Sequence, residues 1–197
     1  QHLRHLDEEL AADDVAVQRV DLSKPANANA TTIVTGLISC DPVRRTPWGT
    51  IIVAEEAGAT GGFYEILDPI HINAAINVSN RDLGTTSDPL HLVKRMAVGS
   101  LSFESFAIRP DGTMIYGDEL APSGGTAGGG IYKFVPAVPF AGGPAVTIPA
   151  QSPLASGTIF GLRATREGFD STWSVMASRL MHPTLDSAQV ALVREQL

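Results

Sequence analysis

Two adjacent carboxylate pairs, Glu55-Glu56 and Asp118-Glu119, close two segments of this chain that read alike 63 positions apart. Pro47-Trp48-Gly49-Thr50-Ile51-Ile52-Val53-Ala54-Glu55-Glu56 recurs as Pro110-Asp111-Gly112-Thr113-Met114-Ile115-Tyr116-Gly117-Asp118-Glu119. Carboxylate oxygens suit hard cations such as Ca²⁺ and Mg²⁺, and they also serve Fe³⁺. Adjacent residues on a strand point to opposite faces, so one member of each pair looks into a shared site unless the chain bends there. The competing reading is that strand-end acids are simply solvated and guard a sheet edge against unwanted pairing. Conservation of both acids at one register of an internal repeat favours the shared site.

Three further features could add chemistry. Cys40 is the single cysteine, so no internal disulfide forms. It is either a small buried hydrophobe or a thiolate ligand to a transition metal beside the carboxylates. Glu104 lies between Phe103 and Phe106, out of step with a plain surface strand. It is either a site acid or an exposed residue at a bulge. Arg44 and Arg45 form the adjacent basic pair whose forked donors could clamp a phosphate. The histidines His2, His5, His71, His91 and His182 are not at metal-ligand spacing from one another. A P-loop, a Gly-x-Ser-x-Gly elbow and a Cys-x-x-Cys pair are all missing from the sequence.

Both copies run through a glycine-rich loop into an aromatic strand, Phe63 to Leu67 in one and Ile131 to Val135 in the other. Turn, apolar strand, acidic pair, glycine loop and apolar strand make a repeated β unit, and such units arranged round an axis would bring the acids together. Further strands are expected at Thr32 to Ser39, Leu92 to Val98, Phe103 to Ile108, Thr158 to Ala164 and Thr172 to Ala177. Asp41-Pro42 reads as a turn, residues 70–91 as an irregular insertion and Ser123 to Gly130 as a flexible or ligand-hugging loop. Leu3 to Ala12 could form a short helix, and Asp186 to Leu197 has clear helical character. The expected fold class is therefore all-β, a β-propeller or part of one, with a short C-terminal helix. Roughly ten strands make two to three blades, fewer than the four of the smallest propellers. The expected organisation is an N-terminal extension over 1–31, a partial propeller over 32–180 and the helix over 181–197.

Hydrophobic residues at 44% and charged residues at 18% place the chain among globular proteins. A net charge of -7 argues against nucleic acid as a partner. No run approaches the roughly 20 apolar residues of a membrane span, and the first ten residues are too polar for a signal peptide.

At Cys40, Thr46-Pro47-Trp48-Gly49-Thr50 and Glu55-Glu56 the chain resembles the PhoX-like alkaline phosphatase family. Gly99 to Glu104, Met114 to Glu119 and Ile131 to Pro136 are similar to later segments of that family. The likeness covers roughly residues 33–165 and fades after Ala164. It implies a six-bladed propeller, export to the periplasm or beyond, and hydrolysis of phosphomonoesters with iron and calcium. By that likeness Cys40 and Glu104 would be iron ligands, with Glu55, Glu56, Asp118 and Glu119 for iron or calcium. Apart from the likeness, which does not extend to Asp41-Pro42-Val43-Arg44-Arg45, the forked donors of Arg44 or Arg45 are the candidates to meet the phosphate. With so few blades, a protein partner or a missing remainder of the propeller is also implied. Two other readings stand beside it: a noncatalytic PhoX-like subunit of a larger assembly, and an unrelated calcium-binding propeller enzyme such as a lactonase.

Overall fold

The duplicated turns set the frame. In the first, Thr46 donates its amide to the Thr50 carbonyl at 2.9 Å and Gly49 donates to Thr46 at 3.2 Å. In the second, Arg109 donates to Thr113 at 2.9 Å and Gly112 to Arg109 at 3.0 Å. Gly49 and Gly112 sit at φ 86° and 90°, a left-handed conformation that a side chain would strain. The loops repeat as well: Glu55 donates its amide to Gly62 at 2.9 Å, and Asp118 to Gly130 at 3.0 Å.

The computed structural model describes residues 2–5, 15–121, 128–163 and 168–181. In chain order the strands are β1 His2–His5, β2 Val15–Val20, β3 Ala30–Leu37, β4 Cys40–Arg45, β5 Ile51–Glu55 and β6 Phe63–Ile66. They continue as β7 Ile76–Asn80, β8 Thr85–Thr86, β9 Leu92–Lys94, β10 Phe103–Ile108, β11 Met114–Asp118, β12 Ile131–Pro136 and β13 Gly157–Leu162. They form a five-stranded sheet β1-β2-β3-β7-β8 and two four-stranded sheets, β4-β5-β6-β9 and β10-β11-β12-β13. Among the described residues the fold is all-β, the class the sequence predicts, apart from one α-helix, α1 Phe169–Met181. The described residues form open sheets and no closed ring.

The sheet β4-β5-β6-β9 is buried on both faces, which is why β5 is buried at every position. Val53, Tyr64, Ile66 and Leu92 pack with Ile33, Val34, Leu37 and Ile76 of the five-stranded sheet. Ile52, Ala54 and Phe63 pack on the other side with Phe103, Phe106, Met114 and Tyr116. Each fully buried large side chain contributes about 1.5–3 kcal/mol. Glu65 of β6 lies fully buried within this arrangement. It accepts hydrogen bonds from Trp48 Nε1, Thr50 Oγ1 and Arg95 Nε at 2.6 Å each, and from Ser152 Oγ at 2.7 Å. One carboxylate thus ties the first turn, β6 and the 152 loop together.

Several local expectations fail for physical reasons. Asp41-Pro42 is no turn but lies inside β4, where a bulge between Cys40 and Val43 on an edge strand accommodates proline. Residues 70–91 hold β7 and β8: Ile76 and Val78 alternate inward between exposed residues, and β7 runs parallel to β3. Residues His2–His5 are a strand paired with β2 rather than the start of a helix. Leu92 to Val98 splits into β9 and a 3-10 turn at Met96–Val98.

Thr172 to Ala177, expected as a strand, is helical. The Gly168 carbonyl accepts from Thr172 N at 3.0 Å, Thr172 Oγ1 at 2.8 Å and Ser171 Oγ at 3.0 Å. Asp170 stands in the first turn, where the helix dipole favours an acid. This helix belongs to a second compact unit, residues 162–197, separate from residues 1–161. The helix expected at Asp186 to Leu197 and much of the glycine loop at Ser123 to Gly130 lie outside the described residues.

Candidate metal centre

The repeat extends further upstream than its obvious motif. Ser39-Cys40-Asp41 and Ser102-Phe103-Glu104 also stand 63 positions apart. Each serine carbonyl accepts an amide from the second acid of its own copy, Glu56 to Ser39 at 2.7 Å and Glu119 to Ser102 at 2.9 Å. Glu56 and Ser102 further form a β-bridge between the two sheets. The ends of β4, β5, β10 and β11 therefore meet, and four acids meet with them.

Asp41, Glu56 and Glu104 each place one ligand oxygen within 4.8 Å of the others. Glu119 joins them by hydrogen bonds with Glu56 and Glu104. Glu56 is half-buried while Asp41, Glu104 and Glu119 are exposed, so the cluster opens to solvent. The hydrogen bond to Glu119 is the main cause that pushes the Glu56 carboxyl up to about 7. Desolvation and the charges of Glu119, Asp41 and Glu104 act in the same direction. Glu104 is raised for the same first reason, and Glu119 is lowered because Glu56 and Glu104 share their protons with it. The ionised forms of Glu56 and Glu104 are thus disfavoured by their acidic neighbours, a condition that a cation would relieve.

The first acid of each pair has another job. Glu55 is fully buried and accepts from Ile38 N at 3.0 Å, Gly62 N at 2.8 Å and Arg81 Nε at 2.7 Å. Asp118 accepts from Ser102 N at 3.1 Å and Leu120 N at 3.4 Å. Both brace the backbone that carries the second acids. Alternation along the strand separates the roles: Glu56 and Glu119 turn into the cluster while Glu55 turns into the protein.

Cys40 is buried, donates to the Ile38 carbonyl at 3.7 Å and belongs to the hydrophobic cluster between the first two sheets. It is not a member of the Asp41–Glu56–Glu104 group. Arg44 and Arg45 are exposed at the far end of β4 from Asp41. At ~3.3 Å per residue that separates Arg44 and Arg45 from Asp41 by roughly 10 and 13 Å along the strand. Of the sequence candidates the structure brings together Glu56, Glu104 and Glu119; it does not bring Cys40, Glu55, Asp118, Arg44 or Arg45 into the same oxygen set.

Two residues of consequence escape the sequence reading. Asp41 is found by extending the repeat alignment upstream to its counterpart Glu104. Glu65 gives no such signal, because its position in the second copy is Lys133. The donor set fits a hard cation: carboxylates only, open to water, without thiolate or imidazole. A scan against protein-family models, a search of curated proteins and a search of solved structures each return no match to this chain.

Proposed function

We propose that this chain is part of a β-propeller of PhoX-like phosphatase type and that Asp41, Glu56, Glu104 and Glu119 hold a hard cation at its axis. The observation that carries the proposal is the meeting of Asp41, Glu56 and Glu104, acids from both copies of the repeat, with one oxygen of each within 4.8 Å of the others. Calcium fits this oxygen set better than iron, because Cys40 is packed in apolar surroundings away from it. The activity proposed is hydrolysis of phosphomonoesters. A bound cation would supply positive charge to a phosphoryl oxygen and polarise a water. An open, carboxylate-only site belongs to the weak end of calcium affinity, as in extracellular modules, in keeping with a periplasmic or extracellular protein.

A second reading is favoured by one observation: the charges that act on Glu104 are carboxylates, Glu119 and Asp41, and both arginine candidates lie elsewhere. On that reading the centre binds a cation and the chain serves as a noncatalytic subunit, held to the remaining blades.

Calcium titration by calorimetry, paired with hydrolysis of 4-nitrophenyl phosphate, separates the possibilities. The phosphatase reading expects calcium binding, at least about tenfold weaker in Glu56→Gln and Glu119→Gln, and hydrolysis that a chelator abolishes. Calcium binding without hydrolysis selects the noncatalytic subunit. Absence of any divalent binding at pH 8 overturns both. Stoichiometric iron that is lost in Cys40→Ser would put the thiolate back into the centre.

A further inference from the structure

We infer a second binding site, a cleft of about 560 Å³ at the opposite end of β4, that takes a small molecule with an anionic head on an apolar body. Its size lies within the usual ~300–1,000 Å³ of ligand pockets. Its wall is mostly apolar, built from Ile51, Ile70 and Val146. Ile70 stays 53% exposed at this wall, an uncovered apolar surface beside charged groups.

Arg19 and Arg45 supply the charge. Among the described residues Arg19 uses only Nη1, donating to the Pro69 carbonyl at 3.0 Å and the Ile70 carbonyl at 2.6 Å. Those bonds hold its guanidinium in place with further donors to offer. The Arg45 guanidinium makes no hydrogen bond or ion pair with the described residues, its backbone alone being paired, with Ile51 of β5. The one carboxylate of the lining, Asp68, is already engaged by the His71 ring at 2.7 Å. Two guanidinium groups against one engaged acid make a locally basic cleft in a protein of net charge -7. Guanidinium forks recognise phosphate and carboxylate alike, so the shared chemistry is an oxyanion joined to a hydrocarbon.

The cleft is also prepared by the fold. The 145–147 segment is seated on the first turn, with Val146 donating its amide to the Trp48 carbonyl at 2.9 Å. Ala145 comes so near Gly49 that a Cβ there would meet its methyl at 2.8 Å. The wall is therefore fixed by the same turn that Glu65 holds from within.

The test is calorimetric titration with phenylphosphonate in EDTA, with inorganic phosphate and benzyl alcohol as head-only and body-only controls. Phenylphosphonate should bind at least about tenfold more tightly than either control. Arg45→Gln should weaken it about tenfold or more. Ile70→Glu, at an exposed position that folding tolerates, should weaken it about fivefold by charge repulsion. Equal affinity for inorganic phosphate, or affinity unchanged in both variants, overturns the site. So does binding that appears only after calcium is added, which would place the ligand at the carboxylate centre instead.

Discussion

At the first duplicated turn stands Trp48, at the second Asp111, and the two side chains go in opposite directions. Trp48 is buried, donates to Glu65 and lies against Phe140 with ring centroids 6.0 Å apart. Asp111 folds back on its own turn, accepting from Thr113 N at 3.0 Å and Thr113 Oγ1 at 3.1 Å. The partner strand differs in the same sense, with buried Glu65 in the first copy and half-buried Lys133 in the second. Ile52 is 0% exposed, while Ile115, its counterpart, is 43% exposed. One backbone pattern has been placed in two environments, an interior sheet covered on both faces and a sheet with one face open. Glycine turns and strand pairing survive that change because they depend on local conformation. The side chains do not, because their roles depend on what covers them. Glu56 and Glu119 keep a common role since they stand at the junction, where both copies have the same neighbours.

The largest expected difference between the copies is at Glu65 and Lys133. Glu65→Ala leaves the Arg95 guanidinium buried without its carboxylate, at a cost of about 3–5 kcal/mol. Lys133→Ala should stay within about 0.5 kcal/mol. Urea midpoints measure both, and similar losses would mean that the second copy is equally enclosed. Next come Ile52→Ala, which should lose about 2–5 kcal/mol as a cavity opens, and Ile115→Ala, below about 1 kcal/mol. A large loss at Ile115 would reveal a covered face.

The smallest effect is the pH dependence of the junction. The folded carboxyl of Glu56 is raised from 4.5 to about 7, so between those values the folded state binds more protons than the unfolded one. Stability from this group is complete below pH 4.5 and declines as pH rises through about 7. Glu104 acts in the same direction, whereas lowered Glu119 acts at more acid pH, losing its contribution as pH falls through its depressed value. Urea midpoints should therefore fall from pH 5 to pH 8. Glu119→Gln removes the accepting charge and should flatten that slope; a slope unchanged in the variant would exclude the shared proton.

The duplication read from the sequence locates both turns and the strand expected at Ile131 to Val135, observed as Ile131–Pro136, and the strand expected at Phe103 to Ile108 is found at those residues. The duplication also marks Glu56 and Glu119 as acids at one register. These features are local: positive φ at glycine, alternation along a strand and a turn closed over a few residues are written in neighbouring side chains. What the sequence leaves open is which of two adjacent acids faces the site, and where Cys40, Arg44 and Arg45 lie relative to it. Those questions are settled by how one sheet stacks on the next. Stacking buries Glu55 against Arg81 and Cys40 against Ile38, brings Asp41 to Glu104, and carries Arg45 to the far end of its strand. The same physics misleads the reading of Thr172 to Ala177, where alternating residues imitate a strand while hydroxyls bonded to Gly168 open a helix. Residue type and spacing therefore determined the repeat unit and its acids. Long-range packing alone decided which of those acids meet, because burial is a property of neighbours that the local chain does not contain.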